Sequence, residues 1–230
     1  MDKDSDIIFI SLGYNCSIKI YINTFVNQPT YLFDWIGSPM WGINKFISNS
    51  FDLFNKENYK TLQIYTENKE YTHLHCNTLY YFRLIHDIPT HCILDRTQIQ
   101  RNKHGDIIKI NYFEAFKNKY MRRIERFNEL LHSNKTIVFI RLEECMKNKI
   151  MHEEYKELYS ISELDHANEF IKLINNKYPL LQFRMIYISK LHQTELNDNL
   201  LIVHNNNETN IKQILDTNIN LINKLIASKT

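Results

Sequence analysis

From residue 113 onward the apolar residues switch repeatedly between a helical and a strand period, and that alternation restricts the chain to few folds. Phe116, Tyr120, Ile124, Phe127 and Leu131 form one stripe of a helix predicted over 113–132, which feeds the run Thr136-Ile137-Val138-Phe139-Ile140. A second helix is predicted over 162–178. It opens with Ser162-x-x-Asp165, a capping-box variant, and carries Leu164, Ala167, Phe170, Ile171 and Ile174 on one face. The strand Phe183–Ser189, the strand Leu200-Leu201-Ile202-Val203 and an amphipathic helix over 209–227 follow. Near the start, Ile7-Ile8-Phe9-Ile10 reads as a buried strand that stops at Ser11-Leu12-Gly13. A helix with Ile18, Tyr21, Ile22 and Phe25 on one face comes next, capped by Asn15 or Ser17. Strands alternating with helices of this length predict an α/β fold, a mainly parallel sheet flanked by helices on both faces.

Between these regions the pattern changes. Phe33 to Pro39 reads as a turn and is followed by a helix with Trp41, Phe46, Ile47 and Phe54; Trp35 is expected in the core. Tyr, Thr, His and Ile then predominate, with strand-like runs at Leu79–Ile85 and Ile107–Tyr112, so a β-rich insertion is expected around residues 60–112. No repeat or long linker interrupts the chain, and residues 1–230 are read as one α/β domain.

Charge and motifs then narrow the function. Lys and Arg number 28 against 26 Asp and Glu, so no strong field would gather nucleic acid or anionic lipid, and neither is expected as a partner. The stretch Met1-Asp2-Lys3-Asp4-Ser5-Asp6 has neither the basic nor the apolar region of a signal peptide, which predicts a cytoplasmic protein. Cysteines at 16, 76, 92 and 145 show no CxxC spacing and are expected as free thiols. P-loop, GxGxxG, HExxH and EF-hand patterns are absent, and no cofactor or metal is expected. A zinc site would need long-range assembly, for example around His73, His75 and Cys76.

In open parallel sheets ligands bind where loops leave the carboxyl ends of the strands. That points to Gly13–Cys16, Arg141–Glu144, Ser189–His192 and His204–Asn206. Cys16 follows a buried strand and begins a predicted helix, where unpaired N–H groups favour a thiolate and can hold an oxyanion. Simple packing is the competing account, since free cysteine is among the most buried residue types.

Ser11-Leu12-Gly13-Tyr14-Asn15-Cys16, followed by Phe33-Asp34-Trp35, resembles the N-terminal signature of an uncharacterised family described as "putative papain-like cysteine peptidases", found in bacteria, plants and large DNA viruses. Tyr120-x-x-Arg123-Ile124-x-Arg126-Phe127 and Ile137-Val138-Phe139-Ile140-Arg141 are similar to it as well, so the matches spread over about residues 7–142. The resemblance implies Cys16 as nucleophile, a downstream histidine as base, and a peptide or small amide substrate. It also implies a helix-rich lobe packed on an antiparallel barrel, whereas the pattern after residue 113 predicts a parallel sheet.

His86, at the end of a strand-like run, is the expected base, with Asp87 or Asp34 to orient it. Asn15, Arg141 and His204 are the oxyanion or substrate-binding candidates. His204 is also the rival base, in an arrangement similar to SGNH-type esterases with Ser11 as nucleophile, although the Gly-Asp-Ser turn of those enzymes is missing. Arg122, Arg123 and Arg126 are read first as salt-bridge partners of Glu125 and Glu129. The alternative function is a non-catalytic or transferase-like α/β domain that binds an anionic small molecule through the strand-edge loops and Arg141.

Overall fold

The computed structural model describes residues 7–13, 16–65, 71–84, 97–101, 107–143, 157, 160–205 and 211–227. Among the described residues ten strands lie in chain order: β1 Ile7–Ser11, β2 Tyr59–Tyr65, β3 Tyr71–Asn77, β4 Phe82–Arg83, β5 Thr97–Arg101, β6 Ile107–Asn111, β7 Thr136–Leu142, β8 Phe183–Ser189, β9 Glu195–Leu196 and β10 Leu200–His204. The α-helices are α1 Ser17–Ile22, α2 Met40–Ser48, α3 Tyr112–Leu131, α4 Glu163–Lys177, α5 Ile211–Thr217 and α6 Ile219–Ala227.

The apolar runs at the two ends of the sequence come together in one five-stranded sheet of order β1-β7-β8-β10-β9, parallel except for the short β9. In register, Ile8 faces Ile137, Phe139 faces Met185, and Ile186 faces Leu201. Both faces are buried, which is why these strands are apolar without alternation. Ile137, Phe139, Phe183, Met185, Leu200 and Ile202 point into one cluster with residues of α2, α3 and α4. Val138, Ile140, Ile186, Ile188, Leu201 and Val203 point into a second cluster with Ile18 and Ile22 of α1 and the apolar residues of α5 and α6.

The order explains the division. The chain adds its parallel strands in a single direction, so right-handed crossovers carry α3 and α4 to the same face. The opposite face is covered by α1, which opens the long connection from β1 to β7, and by the terminal pair α5 and α6. β1 is an edge strand, and the side-chain amide of Gln28 completes it. Gln28 Oε1 accepts from the Phe9 N–H (3.3 Å), and Gln28 Nε2 donates to the Phe9 carbonyl.

The expected β-rich insertion is present as antiparallel structure, β2-β3-β4 and the pair β5-β6. Within it the predicted strand 79–85 is displaced. Asn77 Oδ1 accepts from the N–H groups of Leu79 (3.1 Å) and Tyr80 (3.2 Å), closing a turn that ends at Tyr81 in the left-handed region (φ 57°). Phe82–Arg83 then pair with β3 as β4, and Leu84 N–H donates to His75 O (2.9 Å); Ile85 lies outside the described residues.

Helix boundaries show where side chains competed with the backbone. Ser162 Oγ accepts from Asp165 N–H (3.1 Å) and donates to the Asp165 carboxylate (2.6 Å), the capping arrangement expected for α4. The predicted helix over 209–227 is broken at Asn218. Thr217 Oγ1 and Asn218 Nδ2 each donate back to a carbonyl four residues earlier (2.8 Å each), which favours a bend. Phe54 and Phe25 lie outside the helices expected to contain them, and Trp35 is half-buried whereas Trp41 is fully in the core. None of the described helices is long and apolar enough to cross a membrane.

Candidate active site

β1 runs out of partners one residue after Ser11, where Leu12 N–H donates to Ile140 O (2.9 Å). Gly13 then turns the chain at φ +77°, a conformation that costs an L-residue about 1–2 kcal/mol. A Cβ there would also lie 2.1 Å from Ser38 Oγ and 2.8 Å from Ile36 O, so glycine is required for space as well as for dihedral angle. Ser38 Oγ donates to Leu12 O (3.3 Å) and ties this turn to the segment after Trp35.

Cys16 stands at the N-cap of α1 with helical dihedrals (φ −79°, ψ −7°), and its carbonyl accepts from Ile20 N–H (3.0 Å). Its thiol is half-buried. Cys16 makes no side-chain capping bond at this position, Ser17 is the first residue inside α1, and Asn15 lies outside the described residues. α1 is six residues long, shorter than its periodicity suggested, so its dipole contributes less to a thiolate than a full helix would. Ser11 is fully buried, with its Oγ accepting from Gly13 N–H (3.3 Å), a poor position for the nucleophile of an esterase.

Asp34 does not cap α2, whose N-cap is Pro39. Its carboxylate is fully buried. Oδ2 accepts from Tyr31 N–H (2.8 Å) and pairs with Lys19 Nζ (3.2 Å), which also donates to Pro29 O (3.1 Å). Burial pushes the Asp34 carboxyl above its ordinary range, opposed by the Lys19 ammonium, the Tyr31 N–H and the Arg123 guanidinium. Among the described residues Oδ1 accepts no hydrogen bond. Lys19 is three residues beyond Cys16, so the pair fastens the Phe33-Asp34-Trp35 segment beneath the first turn of α1. Arg126 reinforces that segment from α3 by donating to Thr30 O (2.6 Å), while Arg123 lies over the Tyr120 ring (4.5 Å) and is buried. These two arginines therefore act inward, rather than along the helix surface as their spacing had suggested.

Arg141 was expected to emerge at the sheet edge to meet a ligand. It is fully buried instead. Nη1 donates to Leu12 O (2.7 Å) and Ser38 O (2.8 Å), Nε donates to Glu163 Oε1 (2.6 Å), and Nη2 also contacts that oxygen. Next to this junction, Gly37 and Arg83 exchange backbone bonds, Gly37 N–H to Arg83 O at 3.1 Å and Arg83 N–H to Gly37 O at 2.9 Å. The ends of β1, β4 and β7, the Ser38 segment and the start of α4 thus converge at one place.

His86 and Asp87 lie outside the described residues. His204 ends β10, with its Nδ1 2.8 Å from His192 O; a carbonyl only accepts, so this contact keeps the proton on Nδ1 and leaves Nε2 basic. β7 and β8 separate β10 from β1, so the ends of these two strands stand three spacings apart, about 14 Å. The neighbouring loop is bound to itself: Ser189 Oγ donates to Glu143 Oε2 (2.6 Å) and accepts from the N–H groups of Leu191 (3.0 Å) and His192 (3.1 Å). Cys76 contrasts with Cys16. It is fully buried, and burial pushes its thiol up to about 12. Among the described residues no group of three or more His, Cys, Asp or Glu is placed to hold a metal ion. A cavity of about 520 Å³ lies on the α1 and α6 side of the sheet, floored by Phe9, Ile140, Leu215 and Ile222; Cys16 does not line it.

Lys19 and Glu163 were missed from sequence. Lys19 interrupts the otherwise apolar pair Ile18 and Ile22, and that interruption, set against Asp34 in a hydrophobic run, was the available signal. Glu163 sits inside the Ser162-x-x-Asp165 cap, where an acidic residue has a sufficient local explanation.

Comparison with known proteins agrees with the family resemblance read from the sequence. No solved structure matches the chain. An uncharacterised protein of Acanthamoeba polyphaga mimivirus is 30% identical over 173 residues, covering 68% of this chain and 70% of that protein. The family described as "putative papain-like cysteine peptidase (DUF1796)" matches residues 7–167, well over half of the sequence, and the chain belongs to that family.

Proposed function

We propose that the protein is a cysteine-dependent hydrolase or acyl transferase with Cys16 as nucleophile. The observation that carries this reading is the contrast between its two described thiols. Cys16 is half-exposed in a turn held by Gly13, at the carboxyl edge of a parallel sheet, while Cys76 is sealed and protonated. The name of the family supports the same chemistry. The parallel sheet is not the papain architecture, so the reaction is inferred from the site rather than from the fold.

In this reading His86 takes the Cys16 proton and the thiolate attacks the carbonyl carbon of a peptide or small amide. The tetrahedral intermediate collapses as the C–N bond breaks and the imidazolium returns its proton to the leaving amine. Water, or a second acceptor in a transferase, then cleaves the thioester. His86 enters this reading from the sequence, where it ends a strand-like run and has Asp87 beside it. Of the two orienting carboxylates, Asp34 is favoured over Asp87 by its open Oδ1 and by its attachment to the first turn of α1. The anion-binding alternative loses its principal cation, because the Arg141 guanidinium is already occupied by the chain's own oxygens.

The test is a panel of amide and thioester substrates with intact-mass detection of an acyl adduct, comparing wild type with Cys16→Ser and His86→Ala. An adduct on Cys16 that accumulates in wild type and vanishes in Cys16→Ser supports the reading. A Cys16 that alkylates at the rate and pH midpoint of a free thiol, with no adduct from any substrate, overturns it.

A further inference from the structure

Arg141 and Glu163 lie far from Cys16 in sequence, yet one of the carbonyls that Arg141 holds belongs to the turn before Cys16. The guanidinium is fully buried, and its planar fork donates to the last carbonyl before Gly13 (Leu12 O, 2.7 Å) and to Ser38 O (2.8 Å). Ser38 bonds back to the same Leu12 carbonyl, so that oxygen accepts from two separate segments. Glu163, in the first turn of α4, pairs with Nε and Nη2 and supplies the counter-charge without which a buried guanidinium is unstable. A lysine placed here would offer one mobile point charge where the geometry uses a rigid fork.

From this geometry we infer that Arg141, with Glu163, is a positioning pair that fixes the β1–α1 turn and thereby sets the placement and reactivity of the Cys16 thiol. The consequence for catalysis rests on Cys16 being the nucleophile. The pair does not touch substrate; it determines where the chain stands when it leaves β1. α4 is joined to this turn through the guanidinium, so the first turn of that helix becomes part of the support of a site on another element.

The experiment uses the full chain and four variants: Glu163→Gln, Glu163→Asp, Arg141→Lys, and Ile202→Val as a control for general loss of stability in β10. Two quantities are read, hydrogen exchange across the sheet and the rate and pH midpoint of iodoacetamide alkylation at Cys16. Glu163→Gln and Arg141→Lys are expected to speed exchange at Ser11–Gly13 and Gly37–Ser38 about tenfold relative to β8. They are also expected to move the Cys16 alkylation rate and midpoint away from their wild-type values, with Glu163→Asp recovering part of both effects. Ile202→Val should lower the melting temperature and leave the Cys16 midpoint in place. Uniform acceleration across the sheet, or an unchanged midpoint in Glu163→Gln, overturns the inference, because a merely stabilising pair behaves that way. Should Arg141→Lys fail to fold, Glu163→Gln alone decides, since it keeps the shape of the side chain and one accepting oxygen while removing the charge. A wild-type midpoint equal to that of a free thiol would count against Cys16 as nucleophile, whereas the exchange pattern would still judge the clamp.

Discussion

Gly13→Ala is the substitution for which the structure makes the most quantitative demand. The residue sits at φ +77°, where an alanine loses about 1–2 kcal/mol relative to its ordinary conformations. The new methyl would also stand 2.1 Å from Ser38 Oγ and 2.8 Å from Ile36 O. The first contact is a side-chain hydroxyl that can rotate only by giving up its bond to Leu12 O; the second is backbone and cannot rotate away. Overpacking of this kind costs about 1–3 kcal/mol, so the total is about 3 kcal/mol. At about 2–4 °C per kcal/mol for a chain of this size, the melting temperature should fall by about 6–12 °C. Calorimetry or a circular-dichroism melt of wild type, Gly13→Ala, Ser38→Gly and the double variant measures it. Removing the Ser38 side chain eliminates the shorter clash but neither the Ile36 contact nor the dihedral cost. The two changes should therefore couple favourably by more than about 0.5 kcal/mol while the double variant stays below wild type. A Gly13→Ala protein melting within 2 °C of wild type, or strict additivity with Ser38→Gly, would show that the tight turn has been misread.

Three further outcomes are expected. Lys19→Ala strands the Asp34 carboxylate in the interior and should cost about 3–5 kcal/mol in urea unfolding, whereas the double change Lys19→Met with Asp34→Leu should cost markedly less; equal losses would refute a buried ion pair. Cys76, raised by burial from the ordinary value of 9.0 to about 12, keeps its proton in the native state while the unfolded chain ionises, so its contribution to stability is lost as pH rises from about 9 to about 12. Cys76→Ala should flatten that fall, and Cys76 should resist iodoacetamide at pH 9 while Cys16 reacts. Gln28→Ala uncovers the Phe9 N–H and carbonyl on the sheet edge and should cost about 1 kcal/mol with a greater tendency to aggregate, read by chemical unfolding and light scattering.

The strands β7, β8 and β10 were legible because a strand buried on both faces reads as a nearly continuous apolar run, and the shortness of these runs between helical stripes separates them from a buried helix. The α4 cap was legible for a related reason, since its partners are three residues apart. The break at Asn218 and the turn at Asn77 were not foreseen. Each depends on a polar side chain choosing a backbone group over solvent, a choice close in energy to its alternative. Asp34, a candidate orienting carboxylate in the sequence, is held by Lys19 beneath α1, a pairing that no local pattern announced.

Local sequence determined the parallel α/β class, the glycine turn at residue 13 and the place of Cys16 just after the first strand, because periodicity and dihedral freedom act over a few residues. Tertiary structure alone decided that Arg141 turns inward to Leu12, Ser38 and Glu163, and that Cys16 is half-exposed while Cys76 is sealed. A charged side chain goes to whichever oxygens the fold brings within reach, and here those oxygens come from segments 22 to 129 residues away. Their convergence is a property of the strand order, which no window of the sequence contains.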